Sequence, residues 1–139
     1  MTKDELKRKL RAAWALQKQI DTMNVELAQL RDNAGKITPA YSLAPGGSSG
    51  NGQKIEEAVV KIADLEMAIN DDIVKMVLAI QEIRSIISEV QDDKQRIVLY
   101  KRYLEYQKWE KIAVELDLDI RWVHRIHGRA LNEILKTRH

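Results

Sequence analysis

Residues 108–131, KWEKIAVELDLDIRWVHRIHGRAL, crowd three arginines, two histidines, two tryptophans and a glycine into one short stretch. Charged and apolar groups this close can coexist on a helix only if they lie on different sides. At 100° per residue, with Arg121 at zero, Val123, Ile126, His127, Ala130 and Ile134 fall on one side. Arg121, His124, Arg125, Gly128 and Asn132 fall on the other, flanked by Arg129 and Trp122. The spacing predicts a helix over 120–136 with an apolar back and a basic front.

Just upstream, residues 108–116 carry Trp109, Ile112, Ala113 and Leu116 at helical spacing. Between the two helices lies DLD, 117–119. Asp tolerates the left-handed conformation better than most residues, so Asp117 is expected to turn the chain, Leu118 to plug the core and Asp119 to cap the last helix. Two short helices, a three-residue turn and a small residue, Ala113, where the helices cross form a helix-turn-helix pattern. A third short helix is expected over 94–106, with Ile97, Tyr100, Tyr103 and Leu104 facing inward and Asp92 or Asp93 as its cap.

The first ninety residues read differently. Leu6, Leu10, Ala13, Ile20, Met23 or Asn24, Leu27 and Leu30 form a heptad-like stripe over 3–33, roughly 45 Å of helix, stopped by Asn33 and Gly35. Residues 34–52, AGKITPAYSLAPGGSSGNG, hold both prolines and five of the six glycines. They are expected to form a flexible connection, and PGGSSGNG within them lacks the lysine and the strand-then-helix setting of a phosphate-binding loop. The stripe resumes over 53–90 with Ile55, Val59, Ile62, Leu65, Ile69, Ile73, Met76, Ile80, Ile83, Ile87 and Val90. Folded back as an antiparallel hairpin, residue 33 would lie near 53 and residue 3 near 83. Val74, Val77, Leu78, Ala79 and Ile86 lie off that seam and call for a third surface, either the C-terminal part of the chain or a second copy.

The expectation is therefore an all-α protein: a coiled-coil-like helical hairpin over 1–90, then a helix-turn-helix domain over 91–139. The composition agrees, with 32% charged residues, 5% aromatics and no phenylalanine among 139 residues. Charge is unevenly placed. Residues 1–90 carry 12 Lys/Arg against 13 Asp/Glu, and residues 91–139 carry 11 against 8. A basic C-terminal end points to a polyanionic partner. The lack of cysteine excludes disulfides, thiol catalysis and cysteine-bound zinc. No apolar run is long enough to span a bilayer, and MTKDELKRKL reads as a charged helix start rather than a signal peptide, so a cytoplasmic location is expected.

Arg, His and Asn on the front of the last helix can donate to guanine O6 and N7, to adenine or to phosphate. The DNA-contact candidates are Arg121, His124, Arg125 and Arg129, with Lys108 and Lys111 placed to hold phosphates near a positive helix end. The plainer reading of the arginines is solvated surface charge, and His124 could equally do nothing. His127 points inward and reads as structural. Trp109 and Trp122 read as covers for the edge of the small core. Gly128 could permit close approach to a backbone, the chain's own or that of DNA. His124 and His127 at i, i+3 have no HExxH-like context, so no metal is expected, and no cofactor. Asp71–Asp72 and Asp92–Asp93 are adjacent pairs that point to different sides of a helix. No serine or histidine has an evident partner at nucleophile spacing, so the chain is not read as an enzyme.

QRIVLYKRYLEYQKWEKIAVELDLDIRWVHRIHGRALNEIL, residues 95–135, resembles region 4 of sigma-70-type factors. VHRIHGRAL within it is closer to phage and prophage regulators of the ArpU/RinA type. The leading segment, with PGGSS and KIEEAVVKIADLEMAIN, is similar to a phage family that puts a helical hairpin before this motif. The turn's usual glycine is Asp117 here, and the usual serine or threonine opening the first motif helix is Trp109. The resemblance implies a transcription regulator of phage or prophage genes that binds double-stranded DNA. By position, Arg121, His124 and Arg125 would enter the major groove, and Lys108 and Lys111 would hold phosphates. RNA polymerase is a further possible partner, and the hairpin would make a homodimer. The alternatives are a DNA-packaging protein of the small-terminase kind and a protein-interaction adaptor.

Overall fold

The computed structural model describes residues 1–43 and 49–138, with side chains described for 1–36 and 52–138. Among these residues there is no strand. The elements are α1 (Lys3–Leu43), α2 (Ser49–Ser88), α3 (Asp93–Tyr103), α4 (Trp109–Leu116) and α5 (Ile120–Thr137). The all-α expectation holds.

A reciprocal cap starts α1. The Glu5 amide donates to Thr2 Oγ1 at 3.1 Å, and the Thr2 amide donates to Glu5 Oε2 at 3.2 Å, satisfying two donors that the first turn would leave open. The stop expected at Asn33 and Gly35 does not occur, because the helix continues to Leu43. A glycine inside a helix costs only about 1 kcal/mol relative to alanine, which a helix of 41 residues absorbs. A Cβ on Gly35 would meet nothing within 4 Å, so no close contact demands glycine there. The flexible connection expected over 34–52 is thus shortened from both sides. What is left of it, 44–48, lies outside the described residues.

The chain forms two compact units, Gln17–Val74 and Met1–Leu16 with Lys75–His139. In the first, Ile20, Leu27 and Ile69 are buried along the expected seams. Arg31 Nη2 meets Glu66 Oε1 at 2.8 Å, which corrects the register that put residue 33 beside 53. The longer α1 moves its partners further along α2. Val59 and Ile73, expected on the seam, are exposed, as are Val60, Met67 and Val74.

The other unit holds two apolar clusters. One gathers Leu6, Leu10 and Ala13 of α1, Ile83, Ile86, Ile87 and Val90, Leu99 and Tyr103 of α3, and Ala130, Leu131 and Ile134 of α5. It takes residues from both sides of position 90. Ile86 thus lies in a cluster that the chain's own C-terminal helices help to form, and Ala79 packs against that cluster, whereas Val77 and Leu78 stay exposed. The second cluster joins Val98, Ile112, Ala113, Val123 and Ile126, with Trp109, Leu116, Leu118 and Ile120 packed against it.

α3 is capped by Asp92, whose side chain accepts from the Gln95 amide at 2.9 Å. It ends three residues earlier than expected, and Tyr106 beyond it has φ 58°. Its inner face also differs. Val98, Leu99 and Tyr103 are buried, while Ile97 and Tyr100 are exposed. Val98 feeds one cluster and Leu99 the other, so this helix is buried from two directions and has no single stripe.

Candidate nucleic-acid interface

The DLD turn folds as its residues dictate. Asp117 is left-handed at φ 53°, ψ 47°. The Leu118 amide donates to Ala113 O at 2.9 Å, and the Asp117 amide donates to Val114 O at 3.2 Å. This pair of bonds closes the end of α4, and an aspartate does here what a glycine commonly does. Leu118 then packs on the second cluster. The Asp119 side chain accepts from the Arg121 amide at 2.8 Å and starts α5. Ala113, 7% exposed, sits where α4 and α5 meet.

α5 is buried along Val123, Ile126, His127, Ala130, Leu131 and Ile134. Leu131, which the sequence reading left out, is fully buried. Arg121, His124, Arg125, Arg129 and Asn132 are exposed, and Gly128 is half-buried. A Cβ on Gly128 would meet nothing within 4 Å, so the chain's own backbone does not require glycine there. The Arg121 side chain is 89% exposed and 3.7 Å from Asp119. Such a pair is worth little in water.

Two tryptophans organise the cations. The Trp122 ring, 37% exposed, lies under Arg129 at 5.3 Å and Arg125 at 5.8 Å. It was expected to cover the core edge, but it instead steadies two guanidinium groups by cation–π attraction. Trp109 does pack against the small core, and it also receives three neighbours. Arg102 lies over its ring at 4.5 Å, and the rings of His124 and His127 lie at 4.7 Å each. The His124 ring thus has a fixed seat. The Trp122 pairs lie at i, i+3 and i, i+7 and were readable by spacing. The Trp109 contacts join three helices and were not.

His127 lies inward, as expected. Its Nε2 shares a 2.6 Å hydrogen bond with the Tyr103 hydroxyl. Burial, and then the positive charges of Lys7, Arg102, His124 and Lys3, push its pKa down to about 4. Burial pushes Tyr103 up to about 12, against the opposing pull of Arg102 and Arg11. Both groups are therefore neutral near pH 7, and the underside of α5 carries no charge of its own.

Lys108 and Lys111 are exposed at the start of α4, where Lys108 is the N-cap residue and makes no side-chain cap bond. Lys101 Nζ bonds Glu115 Oε2 at 2.6 Å, tying α4 to α3. The structure thus puts Arg121, His124 and Arg125 together on one face, Arg129 at its edge beside Trp122, and Lys108 and Lys111 on α4. Of the paired carboxylates, Asp92 caps α3 and Asp93 pairs with Arg96. Among the described residues no cluster of His, Asp and Glu could hold a metal ion. None of their helices is long and apolar enough to cross a membrane. Comparison with protein-family models, curated proteins and solved structures finds no match.

Proposed function

We propose that the chain is a sequence-specific DNA-binding regulator that lays α5 in the major groove. On this reading α3, α4 and α5 form a sigma region-4-like helix-turn-helix, and α1 and α2 form an antiparallel hairpin. One observation carries it. α5 exposes Arg121, His124 and Arg125 in a row on a helix whose opposite face is wholly buried. A braced basic helix is the shape that enters a groove about 12 Å wide. Each guanidinium can form two hydrogen bonds to a guanine edge, worth about 1–3 kcal/mol of discrimination. Lys108 and Lys111 would fix register on phosphates without reading sequence. Gly128, with open space where a side chain would stand, leaves room for the duplex. The resemblance of residues 95–135 to sigma region 4 supports the same role and suggests phage or prophage genes in a bacterial host. RNA polymerase is then a second partner.

Arg121→Ala with Arg125→Ala should abolish sequence preference in a gel shift at physiological salt, while helicity and melting stay unchanged. Preference retained by the double variant would refute the proposal.

The exposed Val59, Val60 and Met67 of α2 support self-association as a dimer, which would present two copies of α5 to half-sites about 34 Å apart. A ring of many subunits in light scattering would instead favour the packaging reading.

A further inference from the structure

The start of α1 is more basic than its packing needs. Leu6, Leu10 and Ala13 are fully buried and mark its inner side. On one flank of that side, Lys9 Nζ meets Glu82 Oε1 of α2 at 2.8 Å. On the other flank, at 100° per residue, stand Lys3, Lys7 and Arg11, four apart and so in one row with about 6 Å of rise between them. All three are exposed. Among the described residues none of them has a carboxylate partner. Asp4 stands at the outer edge of the row.

The neighbours of that flank are known. The leucines beside the row pack into the same cluster as Tyr103, Ala130 and Leu131. The charges of Lys3 and Lys7 are felt at His127, and that of Arg11 at Tyr103. His127 adjoins Gly128 and lies one turn from His124. On the wheel Leu131 lies on the His124 side of α5 and shares a cluster with Leu6 and Leu10, so the start of α1 lies towards the His124 edge of the exposed face, whereas Trp122 and Arg129 mark the other edge.

We propose that Lys3, Lys7 and Arg11 form a second phosphate track that grips the backbone of duplex DNA alongside the groove entered by α5. This rests on the DNA-binding reading of α5 and extends its footprint to the other end of the chain. Evenly spaced point charges suit a phosphate strand. They position the protein and carry no base information. The start of α1 is then part of the DNA-binding surface.

The test uses the full chain with Lys3→Gln, Lys7→Gln and Arg11→Gln together, and Lys7→Gln alone. Binding is measured against salt on two probes: a mixed-sequence duplex and the duplex that the wild-type chain selects from random DNA. Each phosphate contact contributes about 0.9 to the slope of log affinity against log salt. The triple variant should lose about 2–3 from that slope and the single variant about 1, with equal weakening on both probes. Circular dichroism should show unchanged helicity and melting. An unchanged slope and affinity, with wild-type binding intact, overturns the track and leaves the α5 reading standing. Weakening on the selected duplex alone also overturns it, because that is base recognition. A wild-type chain that binds neither duplex, or binds only an acidic protein, overturns both readings.

Discussion

Gly128→Ala should move stability and DNA affinity in opposite directions. The position lies well inside α5 (Ile120–Thr137), where alanine is favoured over glycine by about 1 kcal/mol because less backbone entropy is lost on folding. No steric cost offsets this gain, since the new Cβ has nothing within 4 Å. For a unit of this size a gain of 1 kcal/mol raises the melting temperature by about 4 °C. The same methyl group stands among Arg121, His124, Arg125 and Asn132 on the exposed face. A carbon added about 1.5 Å beyond the backbone would hold a docked duplex away by a similar distance. A hydrogen bond near 2.9 Å does not survive that displacement. Loss of one paired arginine–guanine contact costs about 1–3 kcal/mol, so binding should weaken roughly tenfold or more. Thermal melting by circular dichroism reads the first effect and a gel shift the second. A more stable variant that binds DNA as tightly as the wild type would show that Gly128 is not there for a ligand. A less stable variant would refute the placement of Gly128 in open space.

Two other perturbations test the scaffold under that face. The His127 pKa is held near 4 in the folded chain, below its ordinary value of 6.5, so between these values the unfolded chain binds the extra proton. Stability is then complete above about pH 6.5 and falls as the pH drops towards 4, by a few kcal/mol in all. Denaturant titrations across that range should show the fall, and His127→Phe should flatten the part of it due to this ring. Asp119→Ala removes the acceptor of the Arg121 amide and should cost about 1 kcal/mol of stability, seen as a lower melting temperature. An unchanged melting temperature would mean that the start of α5 is held by something other than its cap.

What the sequence revealed depended on how local the cause was. The turn at 117–119 was readable residue by residue, because left-handed tolerance and capping are properties of single aspartates. The two faces of α5 were readable because one helix presents one period. α3 was misread for the opposite reason. Its eleven residues serve two clusters, so Val98 and Leu99 are both buried and neither forms a stripe with Ile97 or Tyr100. The end of α1 was placed too early because a glycine was taken as a stop where only a modest propensity cost applies. The exposed position of Arg121, Arg125 and Arg129 followed from the wheel, but the seat of His124 on Trp109 did not. That contact depends on how α4 meets α5, and no spacing within either helix encodes it.

The cluster that joins Leu6, Leu10 and Ala13 to Ala130, Leu131 and Ile134 has a consequence for synthesis. Chains are made from the amino end, at about 5–20 residues per second. For several seconds after it leaves the ribosome, the beginning of α1 has no completed core to enter. Its three apolar side chains can meet Ile83, Ile86 and Ile87 first, but the cluster stays open until the residues near 130 emerge. Folding of this unit is thus finished after its last helix is made, and a ribosome stalled before α5 would hold a first helix whose cluster lacks Ala130, Leu131 and Ile134.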